Sequence, residues 1–298
     1  MKKIIIYSII GLTCGIIAPQ AAAQKFALKA YDDINFGKAM SITTALPGTN
    51  SSSGSNSFGL DFGYTFWRHG GNSLEANIGV EYRASSATFN IADMSYNYAA
   101  PATADEDGNP YERYTQVVDM SQKIGFGYFN IPIYLQYEYH VTKWLGLHAS
   151  AGFGLGFKIM NSEGAIAGKA KTYGVYQEYN QLVVKADYLN DFGERYLEQA
   201  VKGKADVKGF NAFVICGAGL EFYVSEPVSF ELGVRYNAGL TDVFGGRYNI
   251  SSQNMINADS APVTYTVADG QHVKALSDYV TKSRLNPLSL HIGVNVRF

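Results

Sequence analysis

The sequence predicts an all-β fold, an eight-stranded antiparallel up-and-down transmembrane β-barrel with four long extracellular loops. Three observations lead to this fold. The chain opens with a segment typical of export, it contains seven stretches in which apolar and polar residues alternate, and the connections between them are short and long in turn. Each observation bears on a different property: the compartment, the strands and their order.

The first 23 residues have the layout of a cleaved signal peptide. Lys2 and Lys3 precede an apolar run at residues 4–18, and Ala21 and Ala23 frame a cleavage site before Gln24. The apolar run is shorter than the roughly 20 residues that a membrane-spanning helix needs. We therefore expect residues 1–23 to be removed and residues 24–298 to form one outer-membrane barrel domain.

Seven stretches of the mature chain alternate with a period of two. In the last stretch the apolar positions run from Leu288 to Phe298, and the intervening positions are small or polar. The same pattern recurs at residues 58–67, 74–83, 131–140, 145–157, 211–222 and 228–240. An irregular stretch at about residues 26–42 is interpreted as the eighth strand. Such recurrence is typical of a barrel whose outer face contacts lipid.

The connections predict how the barrel lies in the membrane. Short turns are expected at residues 68–73, 141–143 and 225–227, and long polar loops at about 43–57, 86–123, 159–208 and 241–285. Outer-membrane barrels have short periplasmic turns and long outer loops. The order therefore predicts an integral outer-membrane protein with both termini in the periplasm. Aromatic residues fall at the expected periplasmic ends, as in an interfacial girdle.

The composition excludes several classes of protein. The formal net charge of −2 provides no basic field for nucleic acid, so no nucleic-acid partner is expected. An apolar fraction of 47% excludes a wholly disordered chain. Of the two cysteines, Cys14 lies in the signal segment and Cys216 falls on the lipid-facing parity, so no disulfide scaffold is expected.

Charged residues on the inward parity predict a network that fills the lumen. An eight-stranded barrel is just wide enough to be filled by side chains, and buried charges must be paired. A polar channel or an acid–base site is the alternative interpretation of the same residues. The expected network is structural and consists of Glu75, Glu81, Arg83, Glu138, His148, Glu221, Glu231, Arg235 and Arg297.

No motif indicates catalysis, a cofactor or a metal. The five histidines have no short metal-binding spacing, and residues 105–109 resemble only a fragment of a calcium loop. A serine–histidine–acid triad assembled from distant positions stays open, because such triads form in space. In the third loop, apolar residues at helical spacings over 177–201 suggest a short surface helix.

Several segments resemble a known family. These are 128–137 (YFNIPIYLQY), 149–156 (ASAGFGLG), 217–221 (GAGLE) and the terminal Phe298. The mature chain resembles the PorT-like outer-membrane β-barrel proteins. The resemblance implies an outer-membrane location and insertion by the barrel-assembly machinery, which recognises a last strand ending in an aromatic residue such as Phe298.

The expected function is that of a non-catalytic barrel that is structural or binds a ligand or protein through its extracellular loops. The expected partners are outer-membrane lipid, the barrel-assembly machinery at the C-terminal strand, and an extracellular ligand or protein. Two alternatives stay open: a narrow, porin-like solute channel, or an outer-membrane component of a protein-export system, which the PorT resemblance implies.

Overall fold

The computed structural model describes an all-β chain whose strands form a closed ring. It describes residues 25–44, 48–104, 110–160, 162–176, 181–183, 193–245, 264–266, 272–274 and 280–298. The strands are β1 (Phe26–Asn35), β2 (Met40–Thr44), β3 (Asn50–His69), β4 (Asn72–Ala104), β5 (Pro110–His140), β6 (Leu145–Lys158), β7 (Glu163–Tyr176), β8 (Gln181–Val183), β9 (Gly193–Lys204), β10 (Phe210–Tyr223), β11 (Val228–Gly239), β12 (Thr264–Thr266), β13 (His272–Lys274), β14 (Val280–Leu285) and β15 (Leu288–Arg297). The predicted signal peptide lies outside the described residues.

Eight of these strands form the barrel. Their order is β4-β3-β1-β15-β11-β10-β6-β5, and pairing between β4 and β5 closes the ring. Every neighbouring pair is antiparallel, and β1 pairs with β15 from Ala27–Arg297 to Asn35–Ser289. The predicted eight-stranded up-and-down barrel is therefore confirmed. Within the described ranges no helix is long and apolar enough to cross a membrane.

The outer face of the ring is an apolar belt. On β3, residues from Phe58 to Phe66 of one parity are exposed, and Ser57, Asp61 and Thr65 of the other parity are buried. The stretch from Phe58 to Phe66 covers about 27 Å along the strand, or roughly 20 Å of membrane depth at the usual tilt, close to the expected 25 Å band. The same outward apolar parity holds on β4, β5, β6, β10, β11 and β15.

The short turns lie together at one end of the barrel. Gly70 and Gly71 join β3 to β4 with φ values of +56° and +85°, which matches the two-residue hairpin turn that needs positive φ at both positions. The connections between β5 and β6 and between β10 and β11 are also short. We call this end the short-turn mouth and the opposite end the upper mouth.

Two details of the strand prediction are wrong. A bulge between Thr65 and Trp67 turns the Trp67 side chain outward, although strict alternation assigned it to the lumen parity. The irregular stretch at 26–42 is two strands, β1 and β2, and only β1 belongs to the barrel. Its pattern is irregular because Asp32 faces outward opposite Phe58, near the upper edge of the belt, where Asn56 follows on β3.

The predicted loops at 86–123 and 159–208 are largely strands. β4 and β5 stay paired as far as Ala104 and Pro110, β7 pairs with the upper part of β5, and β9 pairs with β7. Alternation ends near residue 84 because outward positions above the belt, such as Ser86 and Asn90, no longer face lipid. The backbone hydrogen bonds between the strands continue beyond this point, although apolar and polar residues no longer alternate.

The upper parts of these strands form one antiparallel sheet, which we call the outer sheet. It consists of residues 91–104 of β4, 110–125 of β5, and β7 and β9. The helix suggested over 177–201 is wrong where the chain is described, because β8 and β9 are strands that hydrogen-bond to β7. Residues 177–180 and 184–192 of that segment, and the acidic residues 105–109, lie outside the described residues.

The belt predicts a strong dependence of stability on membrane depth. Val234 lies at the centre of the outward residues of β11 and is exposed, whereas Val224 lies in a short turn. Val234→Arg should cost roughly 2–4 kcal/mol of unfolding free energy, and the matched Val224→Arg about 0–1 kcal/mol. Urea unfolding in lipid vesicles measures both. Equal costs at the two valines would mean that the belt is misplaced.

Candidate functional site

The barrel interior is the first candidate site, because the structure places all nine residues of the predicted lumen network there. Glu75, Glu81, Arg83, Glu138, His148, Glu221, Glu231, Arg235 and Arg297 are all buried. They come from six different strands, and the inward parity of each strand brings them together. Some of the residues that link these nine side chains to one another were not predicted from the sequence.

At the short-turn end, Arg297 is the centre of the contacts. Its Nη2 lies 2.8 Å from Glu138 Oε2 and 2.8 Å from Glu221 Oε1. Ser73 donates to Glu138 across 3.3 Å, and Ser229 donates to Glu221. One guanidinium thus links β5, β10 and β15, and each of the two carboxylates also accepts a serine hydroxyl on the oxygen that faces Arg297.

In the middle of the lumen, Lys29 of β1 takes the central position. Its Nζ lies 2.7 Å from Glu75 Oε1 and 3.5 Å from Glu231 Oε1, and it donates to Gln136 Oε1 across 2.9 Å. The Gln136 amide also donates to Glu231 across 3.2 Å. Lys29 is only 2% exposed, so this ammonium depends on these partners for its solvation.

Further up, His291 connects two acidic groups. Its Nδ1 lies 2.7 Å from Asp33 Oδ1 and its Nε2 lies 3.5 Å from Glu231 Oε2, so both ring nitrogens face carboxylates. Arg235 lies 3.7 Å from the other oxygen of Asp33. A continuous chain of contacts therefore runs from Lys29 through Glu231, His291 and Asp33 to Arg235.

Aromatic rings hold the guanidinium groups in place. Arg235 lies 5.0 Å from the Tyr31 ring centroid and 5.4 Å from that of Tyr134, and Arg83 lies 4.8 Å from that of Phe213. Phe213 packs with Ile215 and Tyr134 as an apolar cluster within the lumen. Cations over aromatic faces are stabilised most where water is excluded.

Acidic groups outnumber basic ones in this interior. The buried carboxylates of the described residues are Asp33, Asp61, Glu75, Glu81, Glu138, Glu221 and Glu231, and the buried Lys and Arg side chains are Lys29, Arg83, Arg235 and Arg297. Hydroxyl and amide donors stabilise the remainder. Tyr134 donates to Asp61 across 2.6 Å, while Asn130 donates across 2.6 Å and Tyr31 across 3.2 Å to Glu81, which also pairs with Arg83.

Two parts of the network differ from the sequence prediction. His148 is buried, but neither ring nitrogen has a hydrogen-bond partner among the described residues, so it does not join the paired groups. Lys29, Tyr31 and Asp33 were missed because β1 looked irregular. Their shared parity, with polar or charged side chains at every second position, was the signal that would have found them.

An apolar layer closes the upper mouth. Phe89, Phe126, Tyr128, Val207 and Phe244 are 2% exposed or less, and we call this set the upper cap. The Phe244 ring lies 5.6 Å from Phe89 and 6.0 Å from Phe126, and Val207 pairs with Phe244 through an isolated bridge. Segments near 207 and 244 thus fold inward over the polar lumen, and each buried large apolar side chain contributes about 1.5–3 kcal/mol.

A small cavity lies among the side chains of the lumen network. The cavity lined by Tyr134, His148, Arg235, His291 and their neighbours has a volume of about 10 Å³, which is room for roughly one water molecule. Within the part of the chain that the structure describes, no three His, Cys, Asp or Glu side chains are grouped so that they could hold a metal. The arrangement can hold the strands in register, because its contacts join side chains from different barrel strands.

Removing Lys29 tests whether the lumen network is structural. Lys29→Met leaves Glu75 and Glu231 buried without their common cation, so we expect a loss of about 3–5 kcal/mol in urea unfolding. Lys25→Met, at an exposed position just before β1, is the matched control and should change stability by less than about 0.5 kcal/mol. Adding Glu75→Met to Lys29→Met should recover part of the loss. Wild-type stability of Lys29→Met would contradict a structural network.

The solved structures to which this chain is similar are distant from it in sequence. The chain is similar to Neisserial surface protein A, with 12% identity, a TM-score of 0.34 and coverage of 94% of this chain and 100% of the other. It is similar to Ail, the attachment invasion locus protein of Yersinia pestis, with 9% identity, a TM-score of 0.31 and coverage of 92% and 99%. At this level of similarity they carry no argument about function.

Family membership rests on the sequence match. A comparison with curated proteins finds no match. Residues 22–245, which are more than half of the chain, match the family described as outer membrane protein beta-barrel domain. The match includes seven of the eight barrel strands and the whole outer sheet. This chain therefore belongs to the outer-membrane β-barrel domain family and is an integral outer-membrane barrel protein.

Proposed function

We propose that this protein is a non-catalytic surface-binding barrel, in which the closed barrel is an anchor and the outer sheet carries the binding surface. The observation that carries the proposal is the length of the strands above the belt. Among the β5 residues whose side chains the structure describes (121–140), the uppermost outward apolar residue is Phe129, and residues 110–128 continue for about 60 Å of strand. Residues 110–128 lie above the belt, so this part of β5 is not needed to anchor the barrel in lipid.

The organisation of the outer sheet supports a binding role. Its strands are hydrogen-bonded to one another from β4 to β9, so the region is a built sheet and differs from the polar loops of a simple barrel. Tyrosine, which is enriched in protein recognition surfaces, recurs in its sequence. These tyrosines are Tyr96, Tyr98, Tyr111, Tyr114, Tyr173, Tyr176 and Tyr196.

In this proposal the outer sheet is extracellular and both termini are periplasmic, because outer-membrane barrels keep their short turns in the periplasm. Phe298 then ends the strand that the barrel-assembly machinery would recognise. In the structure Phe298 is exposed, and its ring lies 6.3 Å from Phe26 at the join between the first and last barrel strands. A role in protein export, as in PorT-like proteins, is the second candidate and would use the same orientation.

The filled lumen disfavours the channel alternative. We expect purified protein in planar lipid bilayers to show no reproducible single-channel steps, because the lumen network and the upper cap occupy the path. Phe89→Ala combined with Phe244→Ala, which opens the upper cap alone, should stay silent because the lumen network remains. Steady conductance from the wild-type protein would reject the anchor interpretation in favour of a porin-like channel.

A hairpin deletion tests the binding role. Replacing residues 96–115 with Asn-Gly joins Ser95 to Gln116, which face each other in register, through a favoured two-residue turn and leaves the upper cap intact. We expect wild-type protein in nanodiscs to bind members of a glycan array or of an extracellular protein panel, and the deletion to reduce that binding at least about tenfold.

A gel-mobility assay for the folded barrel is the control for this deletion, since the shortened protein must keep its heat-modifiable form. Full binding by a folded deletion variant would show that the outer sheet is not the recognition surface. A wild-type protein that binds nothing on either panel but crosslinks to periplasmic export components in intact cells would favour the export role.

A further inference from the structure

The short-turn mouth contains a pocket that the proposed surface role does not use. Its volume is about 680 Å³, within the range of small-molecule sites. All three short turns and the last barrel strand contribute to it. Its lining includes the charged residues Arg68, Lys143, Glu226 and Arg297 and the rings of His140 and Tyr223.

The inner wall of this pocket is ordered by ring contacts. The His140 and Tyr223 rings stack with centroids 4.7 Å apart and planes 13° from parallel, and Arg297 lies 5.4 Å from the Tyr223 centroid. Arg297 is 6% exposed and is fixed from the lumen side by Glu138 and Glu221. The floor and one wall are therefore built before any ligand arrives.

The charges of the lining favour an anion. Arg68, Lys143 and Arg297 are cationic, and Glu226 is the one acidic residue among the lining residues. Both ring nitrogens of His140 already face acceptors, Nδ1 at 3.0 Å from the Gly71 carbonyl oxygen and Nε2 at 3.2 Å from Glu138 Oε1, so His140 contributes its ring as a wall. The nearby carboxylates Glu138 and Glu221 lie on the lumen side of the pocket and are paired with Arg297. Arg and Lys groups around a concave site favour carboxylate and phosphate ligands.

The position of the pocket indicates a soluble ligand. Its inner wall and floor come from the inward parity of β5, β10 and β15, above which the lumen network begins. The aromatic residues Trp67 and Trp144 of the same turns are exposed and do not line the pocket. The mouth therefore opens to water along the barrel axis, and lipid is on the other side of the strands.

We propose that the short-turn pocket binds a small soluble molecule through its carboxylate or phosphate group, with Lys143 and Arg68 at the entrance, Arg297 at the floor and the Tyr223–His140 stack as a flat wall. This site is independent of the outer sheet, which lies at the opposite end of the barrel. A failure of one role therefore leaves the other intact.

The chain supplies its own reporter for this binding. Trp67 and Trp144 are its two tryptophans, and they adjoin Arg68 and Lys143. We would titrate full-length protein in phosphatidylcholine nanodiscs with inorganic phosphate and with acetylated tri-glutamate, using chloride at equal ionic strength as the blank. A saturable change in tryptophan fluorescence beyond the chloride blank is expected from at least one probe.

Charge variants decide whether the signal comes from this pocket. Arg68→Gln with Lys143→Gln should weaken binding about tenfold or more, and Glu226→Gln should tighten it severalfold, because it removes the one acidic group of the lining. Lys123→Gln, an exposed lysine above the belt, is the matched control and should bind like the wild type.

Three results would overturn the proposal. One is equal binding by the wild type and the Arg68→Gln, Lys143→Gln variant, which would mean an adventitious ion only. Another is no fluorescence change beyond chloride with either probe. The third is a change that requires phosphatidylglycerol in the nanodisc and is not competed by the soluble anions, which would assign the site to a lipid headgroup.

Discussion

The hydrogen-bonded closure of the sheet is the constraint on which the rest of this structure depends. In lipid every backbone N–H and C=O group needs a partner, and pairing of β1 with β15 and of β4 with β5 provides partners for the strands that would otherwise be edges. Closure with eight strands also fixes the diameter, so the interior must be filled by side chains. The lumen network and the upper cap are consequences of that diameter.

The interior is filled in two chemically different layers. Within the belt, ion pairs such as Lys29–Glu75 and Arg297–Glu221 join strands that are not neighbours in the ring, while above the belt the upper cap is apolar. Buried ion pairs contribute little net stability but cost much when one partner is lost. We therefore infer that the pairs mainly specify which strands face each other, and that the belt and the upper cap supply most of the favourable free energy.

The sequence predicts the parts of the fold in which the two faces of a strand meet different solvents. Alternation found seven barrel strands because lipid outside and polar groups inside leave a period of two. It missed the regular parity of Lys29, Tyr31 and Asp33 because Asp32 faces outward at the belt edge. Alternation also missed the outer sheet, because strands above the membrane need no apolar face. It assigned Trp67 to the wrong face because a bulge shifts the parity of a strand, and nothing in the residue types marks the bulge.

Closure also determines where function can reside. Because side chains occupy the lumen, the two ends of the barrel are the surfaces that we expect to meet solution. The two ends differ in the length of the chain that extends beyond the barrel. At one end the strands continue well beyond the length needed to cross the membrane or close the barrel. At the other end the strands are joined by short turns that surround Arg297, the lowest ion-paired group of the lumen. Because Arg297 belongs both to the lumen network and to the floor of the short-turn pocket, an anion bound there would draw on the same guanidinium that holds Glu138 and Glu221. Ligand binding proposed at this end would therefore be coupled to the packing of the barrel interior, whereas binding proposed at the outer sheet would be separated from it by the upper cap.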